Sequence, residues 1–188
     1  KVKVTLPESE GADHPARYAL VEVENVHDDG IVFEPIHRVV FGMSGNRAIE
    51  TIHRHLKAQN ECARVELGRL PCAQGGDTHV LPFITGEVEG AFIVSCPKSQ
   101  LAVGTLQAAL DEAIQEVCGT EIDYIHGADV VKERSHKGGA IGFLLPAMKK
   151  SEFFSTVIYD GALPRKTFSM GEANEMRYYL ECRSLERK

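Results

Sequence analysis

The sequence predicts an α+β protein: one mixed sheet, antiparallel in the first half of the chain and βαβ-like in the second, with helices packed on it. Before residue 97, short stretches rich in β-forming residues follow one another between turn signals. After residue 103, strand and helix patterns alternate, which favours parallel pairing there. The 188 residues, 43% hydrophobic and 26% charged, suffice for a real core, and we predict a single domain over residues 1–188.

In the first half, each predicted element rests on a local pattern. Near-alternation of apolar residues indicates strands, and Asp28-Asp29-Gly30 indicates a turn. Pro35 suggests that its strand lies at an edge or bends. Ser44 is placed to cap a helix that has apolar residues at helical spacing. The predicted elements are strands at residues 17–26, 31–42 and 62–67, a helix at 44–59, a loop at 69–77, and paired strands at 79–86 and 89–96.

In the second half, the apolar period changes from two to nearly four residues and back again. Leu106, Leu110, Ile114 and Val117 align on one helix face, and Gly119 follows as a stop signal. Ser151 is placed to cap another helix. The predicted elements are helices at residues 104–117, 128–135 and 151–158, and strands at 121–127, 140–146 and 177–185.

Composition narrows the classes of function. A formal net charge of −6 argues against a nucleic-acid-binding surface, because such surfaces neutralise phosphates. No apolar run approaches the roughly 20 residues that cross a bilayer, so no membrane partner is expected. Five scattered cysteines without a Cys-x-x-Cys pair predict reduced, mostly buried thiols in a cytoplasmic protein. Because the chain begins at Lys1 and not with methionine, we expect it to be a fragment of a longer protein; the alternative is a disordered or removed start of a few residues.

No strong catalytic motif is present in the sequence. It has no phosphate loop, dinucleotide fingerprint, His-Glu-x-x-His or Gly-x-Ser-x-Gly pattern, so no catalytic residue, metal or cofactor is predicted. A first weak cluster is His37 with Arg38, which could move protons and grip an anion. The alternative is a hydrogen-bonded histidine at a strand end beside an exposed arginine.

Two further weak clusters lie later in the chain. His126 ends a predicted strand before a glycine, where α/β proteins gather ligands; the alternative is a cap and turn with a polar histidine. The third cluster could wrap an anion with a guanidinium fork, a point charge and hydroxyl donors; the alternative is a solvated loop. On extended backbone, three of its members would share one face. The cluster comprises Arg165, Lys166, Thr167 and Ser169, and the three expected on one face are Arg165, Thr167 and Ser169.

Five segments taken together resemble a bacterial and archaeal family catalogued as domain-of-unknown-function family 1015, in the form found in anaerobic Firmicutes. They are residues 14–41, 101–107, 121–127, 141–154 and 160–183, so the resemblance runs from His14 nearly to the end. It implies that this chain is the carboxyl-terminal half of a longer protein. The amino-terminal half of such proteins carries an Asp-Gly-His-His-Arg stretch similar to ParB-type proteins and free-serine kinases, and that stretch does not occur in this sequence.

The resemblance also bears on two of the clusters. Many relatives have Pro-x-Lys-Ser-Thr where this chain has Pro164-Arg165-Lys166-Thr167, and Pro-Thr-His-Arg where it has Pro35-Ile36-His37-Arg38. We therefore expect a ligand-binding set of His37, Arg38, His126, Arg165, Lys166, Thr167 and Ser169.

Three hypotheses for the function stay open. The chain is half of a small-molecule enzyme that binds a nucleotide or phosphorylated metabolite, or a non-catalytic module that senses such a ligand, or a structural half. In each case its expected partner is the amino-terminal half of the same protein.

Overall fold

The computed structural model describes residues 23–68 and 77–170. The predicted loop at residues 69–77 and the predicted strands at 17–26 and 177–185 lie wholly or largely outside these residues. In chain order the elements are β1 (Phe33–Phe41), α1 (Gly45–Gln59), β2 (Cys62–Leu67), β3 (Thr78–Thr85), β4 (Glu89–Ser95), α2 (Ala102–Glu116), β5 (Glu121–His126), α3 (Ala128–Ser135), β6 (Ala140–Phe143), α4 (Phe153–Asp160) and β7 (Phe168–Met170).

The local predictions agree closely with these elements. Ser44 occupies the N-cap of α1 with extended backbone, although its side chain makes no capping hydrogen bond. The β3–β4 hairpin closes over the turn that was predicted for it. The last predicted helix begins two residues late because residues Lys150–Glu152 form a 3₁₀ turn before α4.

The α+β class is confirmed: helices pack on a seven-stranded sheet of order β2-β4-β3-β6-β1-β5, and β7 pairs with the start of β1. Every pair of neighbouring strands in the described ranges is antiparallel, so the parallel pairing expected for the second half is wrong. The βαβ-like connection does exist, because β5 and β6 run the same way and α3 joins them. However, β1 lies between them and takes the hydrogen bonds of both.

Pro35 does not mark an edge of the sheet. β1 is an inner strand, which β5 flanks from Ile36 onward and β6 from Arg38 onward, and Pro35 stands before both, opposite Phe168 of the short β7 ladder. A proline lacks the N–H that a central ladder needs, and a place at the start of the strand avoids that loss.

The two faces of the sheet carry separate cores. On β1, Val40 packs in the large core with α1 and α2, whereas Val39 packs with Ile125 and Val131 under α3. From Ile36 onward, alternation along the strand therefore assigns even-numbered residues of β1 to the α2 face and odd-numbered ones to the α3 face.

Two other properties of the described residues bear on the expectations. Cys62, Cys96 and Cys118 are free but exposed, so the expected burial is wrong for these three cysteines. Among the helices of the described ranges, none is long and apolar enough to cross a membrane.

Candidate anion-binding site

The segment at residues 163–169, here called the cation loop, is held from beneath by Arg38. The Arg38 side chain is fully buried, and its Nη2 donates to the carbonyl oxygens of both Arg165 and Lys166 at 3.0 Å. Its Nε donates to Gln107 Oε1 at 3.3 Å, and its Nη1 donates to the carbonyl of Ile36. Burial is the main reason why the pKa of Arg38 falls to about 10. The guanidinium of Arg38 thus donates its hydrogen bonds to groups of the protein itself and not to a ligand.

The cation loop is not extended, so the shared face expected for three of its residues does not form. Lys166 has a φ of +54°, in the left-handed region, and a turn runs through Arg165 and Lys166. Thr167 is buried and its hydroxyl donates to the carbonyl of Pro164 at 2.6 Å. Ser169 lies apart from these residues, in β7 opposite Glu34.

Arg165 is engaged on the surface of the sheet. Its Nη2 donates to Asp111 Oδ1 and its Nε to the hydroxyl of Tyr124, both at 2.5 Å. Gln107 also donates to Asp111, at 2.8 Å. Since Gln107 accepts from Arg38, the two arginines belong to one closed network that joins β1, α2, β5 and the cation loop.

The two predicted histidines do not share a face of the sheet. The register places His126 opposite Ile36, on the face that Arg38 and Tyr124 occupy. His37 lies on the α3 face, where its Nδ1 accepts from the Leu145 N–H at 3.1 Å. Burial, followed by the charges of Arg38 and His126, lowers the pKa of His37. The structure therefore groups Arg38, Arg165, Lys166 and Thr167, with His126 on the same face, and separates His37 and Ser169 from them.

A cleft beside the cation loop opens at the first turn of α2. This α2 cleft has a volume of about 240 Å³, and its wall includes Thr167, His79, Lys149 and the helix start at Leu101–Val103. The N-cap residue is Leu101, which makes no side-chain cap, and the first turn contains no acidic residue. The first N–H groups of a helix have no acceptor within it and carry partial positive charge. Glu152 also lines the cleft and accepts from the Lys149 N–H at 3.0 Å.

His79 is a residue of this cleft that the sequence did not single out. A hydrogen bond of 2.9 Å joins its Nδ1 to Thr105 Oγ1, and burial lowers its pKa even though Gln100, Asp77 and Asp160 act in the opposite direction. A lowered pKa favours the neutral ring at pH 7. In the sequence, His79 is only a single polar residue at the start of a predicted strand, and such a residue does not by itself indicate a site. Lys149 likewise follows a strand and a proline without any motif.

A second cleft, of about 330 Å³, lies on the other side of Leu101. Arg165 lines it, but so do Asp111 and Asp160. The two carboxylates outnumber the guanidinium, which is already paired with Asp111. In the α2 cleft, by contrast, one carboxylate, Glu152, faces one ammonium group, Lys149, at 4.0 Å, so the charged side chains oppose an anion less there than in the second cleft. Of the predicted binding residues, Thr167 reaches the first cleft and Arg165 the second.

Comparison with known proteins gives one match. The model of a family described as "Protein of unknown function (DUF1015)" matches residues 2–123, more than half of the chain. No curated protein and no solved structure matches the chain. The matched range includes β1 with Arg38, His79 and the start of α2, whereas Lys149 and the cation loop lie beyond it.

Proposed function

This chain belongs to the DUF1015 family, and from that premise we propose that it binds a small anionic ligand, a nucleotide or a phosphorylated metabolite, in the α2 cleft. The proposal moves the centre of the expected site from the side chains of the cation loop to the start of a helix. The predicted residue that stays at the centre is Thr167, which lines the cleft.

The observation that carries the proposal is an uncapped 15-residue helix whose first turn faces a cavity. Ala102 and Val103 belong to the first turn of α2 and line the cleft, and the N–H groups of a first helical turn have no acceptor within the helix, so a phosphate oxygen is a natural acceptor for them. Lys149 adds an ammonium group on the rim, which lies 4.0 Å from the Glu152 carboxylate and would turn from it to a bound anion. Thr167 already donates its proton to Pro164, so its part is to shape the wall and not to donate to the ligand.

Arg38 supports this cleft indirectly. By gripping the carbonyl groups of Arg165 and Lys166, it fixes the backbone that carries Thr167 into the wall. Arg38, Arg165, Lys166, His37, His126 and Ser169 remain predicted ligand-binding residues, but the α2 cleft as described does not need a direct contact from any of them.

The test is a titration of the 188-residue chain with inorganic phosphate, pyrophosphate and ADP, followed by thermal unfolding and calorimetry. A ligand at 100 times its Kd adds about 2.7 kcal/mol to the free energy of unfolding. Lys149→Gln removes one charge-assisted contact and should weaken binding about tenfold. Lys137→Gln, at an exposed site after α3, is the matched control and should leave the affinity unchanged.

A second variant separates binding from folding. Ala102→Asp places a carboxylate in the first turn of α2, where it favours the helix and repels an anion. We expect the melting temperature of the free chain to hold or rise while phosphate and pyrophosphate lose their effect. Equal stabilisation of the parent chain and Ala102→Asp by these anions would refute the α2 cleft as their site.

We propose that the chain takes part in catalysis only together with an amino-terminal half, whose existence the family resemblance implies. We also propose that the protein is cytoplasmic and that it does not bind nucleic acid. The net charge of −6 supports the second of these statements. The alternative is a non-catalytic module that senses a metabolite or has a structural role, and the closed network of Arg38, Gln107, Asp111 and Arg165 favours the structural version. Nucleotide turnover that appears only when the amino-terminal half is added would select the enzyme.

A further inference from the structure

A groove with apolar walls lies between α4 and the β1–β7 ladder. Here called the phenylalanine groove, it has a volume of about 240 Å³, and its walls include Phe33, Phe153, Phe154, Phe168 and Met170. The rings of Phe33 and Phe168 stack at 4.1 Å, and those of Phe153 and Phe154 meet edge to face at 5.3 Å. The groove shares no lining residue with the α2 cleft, although Phe153 and Phe168 directly follow Glu152 and Thr167 of that cleft.

The rim of the groove exposes large apolar side chains. Phe154 and Met170, which line the groove, are 57% and 54% exposed, and Ile158, one helical turn after Phe154, is 75% exposed. Thr156 is the only fully buried residue of α4. A folded chain seldom leaves such a contiguous patch on water, and a patch of this kind marks a surface that another segment or partner covers.

The course of the chain indicates which segment is in reach. Met170 is both the last residue of β7 and part of the groove wall, and residues 171–188 continue directly from it. Six residues at up to about 3.5 Å each separate it from Met176, a reach of about 20 Å. Helix α4, at about 1.5 Å per residue, is roughly 12 Å long, so the segment can return across it.

The sequence of this segment matches the chemistry of the groove. Between residues 176 and 183, Met176, Tyr178, Leu180 and Cys182 alternate with Arg177, Tyr179, Glu181 and Arg183. Because side chains of an extended chain alternate between two faces, one face would be apolar and the other mainly charged. Residues 1–22 also adjoin the groove, because Glu24 and Val26 line it, but in residues 17–22 the pair Tyr18 and Leu20 is followed by Glu22 on the same face.

We propose that residues 176–182 of this chain dock along the phenylalanine groove and α4, with Met176, Tyr178, Leu180 and Cys182 facing the groove. The segment thereby covers the exposed side chains of Phe154 and Ile158. Docking within the chain requires no second molecule, so it is independent of protein concentration.

The experiment uses the absence of tryptophan from the sequence. Tyr178→Trp and Tyr179→Trp each give the full chain a single fluorophore, one on the apolar face and its neighbour on the charged face. We expect the first to emit at shorter wavelength and to resist quenching by acrylamide, and the second to emit like a solvated indole. Adding Ile158→Asp should move the emission of Tyr178→Trp to that of the solvated indole. Adding Val130→Asp, on the exposed side of α3, should leave it unchanged.

Three results would overturn the proposal. Solvated emission from both Tyr178→Trp and Tyr179→Trp would leave the groove without this occupant. A blue shift that disappears on dilution would assign the groove to a second copy of the chain. A response to Ile158→Asp from Tyr18→Trp, with none from Tyr178→Trp, would assign it to residues 1–22. Circular dichroism of each variant verifies that the sheet and helices persist.

Discussion

At the scale of single residues, Arg38 is the least expected side chain of the structure. A guanidinium without solvent exposure loses its hydration, and none of its hydrogen-bond partners is a carboxylate. Its ring contact with Tyr124, 5.1 Å from the centroid, offsets part of that cost. Such an arrangement persists because the planar fork reaches two consecutive carbonyl groups of the cation loop at once.

Arg38→Lys should therefore destabilise the protein although the charge is kept. A lysine ammonium has no fork, so it leaves the carbonyl of Arg165 or that of Lys166 unpaired, at a cost of about 1–3 kcal/mol. Urea unfolding measures the loss. Amide hydrogen exchange at Thr167 and Phe168 should speed up because the loop loses its anchor.

Arg134→Lys is the matched control for this substitution. Arg134 pairs with Asp123 at 2.6 Å, but both side chains are nearly half exposed. Exposed pairs contribute little, so the exchange should change the free energy of unfolding only slightly. Equal losses for Arg38→Lys and Arg134→Lys would contradict the clamp that we assign to Arg38.

Two buried threonines provide a second test at this scale. Thr156 Oγ1 has no hydrogen-bond partner within the described residues, whereas Thr105 Oγ1 is bonded to His79. Thr156→Val should raise the free energy of unfolding by about 1 kcal/mol, since it removes an unsatisfied hydroxyl. Thr105→Val should lower it by about 1–3 kcal/mol, since His79 Nδ1 loses its partner. Denaturant titrations that rank the two variants the other way would show that Thr156 is satisfied, for instance by water in the second cleft.

The sequence could identify Arg38 as a residue of interest but not its role. Its acceptors lie 127 and 128 positions further along the chain, and no local pattern reports on such contacts. His79 and Lys149 were missed for the same reason: neither is remarkable until the fold brings strand β3 and the segment after β6 to the start of α2.

At the scale of elements, the close packing of α3 against the sheet depends on a glycine in β6. A Cβ built on Gly142 would lie 2.0 Å from Ser135 Oγ and 2.6 Å from Val131 Cγ1, both on α3. The glycine lets the helix backbone approach closely, and there Ser135 Oγ donates to the carbonyl of Val131.

Gly142→Ala should push α3 off the sheet and cost about 1–3 kcal/mol, the usual range for overpacking. Gly138→Ala is the control, because a Cβ there would meet nothing within 4 Å. Thermal unfolding gives the loss, and hydrogen exchange along Ala128–Ser135 shows whether it is localised to α3. An unchanged melting temperature for Gly142→Ala would mean that α3 has room to move.

Elements defined by local signals were the predictable ones. Helix α1 and the β3–β4 hairpin follow from helical periodicity and a short turn, and both occur where the sequence placed them. The pairing in the second half failed because β1, from the far end of the chain, lies between β5 and β6. Strand order is decided by which faces bury best together, and periodicity within one strand carries no information about its neighbour.

At the scale of the whole molecule, two histidines make stability depend on pH. Burial lowers the pKa of both His37 and His79 below the ordinary value of 6.5. As the pH falls, these histidines are therefore protonated in the unfolded chain before they are protonated in the folded one, and the free energy of unfolding decreases. The stabilisation is fully present above pH 6.5 and is lost as the pH falls below 6.5 through the folded-state pKa values, by at most about 1.4 kcal/mol per pH unit for each histidine.

Urea unfolding between pH 7.5 and pH 5 measures this dependence. His37→Gln and His79→Gln should each flatten it, whatever they do to stability at pH 7.5. His136→Gln, at an exposed site after α3, should leave the slope as it is. A parent chain whose free energy of unfolding rises on acidification over this range would reverse the sign and refute the assignment.

β1 leaves the ribosome long before the strands that flank it. β5, the first of them along the chain, begins roughly 80 residues after β1 ends. At a synthesis rate of about 5–20 residues per second, the interval lasts roughly 4–16 s. Throughout it an inner strand of the finished sheet, with Val39 and Val40, offers unpaired backbone groups of the kind that recruit other chains. The β3–β4 hairpin, by contrast, is joined by a turn of three residues, so its two strands can pair as soon as both are synthesised. The risk of aggregation during synthesis is therefore greatest for β1, and β1 is the strand that we expect nascent-chain chaperones to bind.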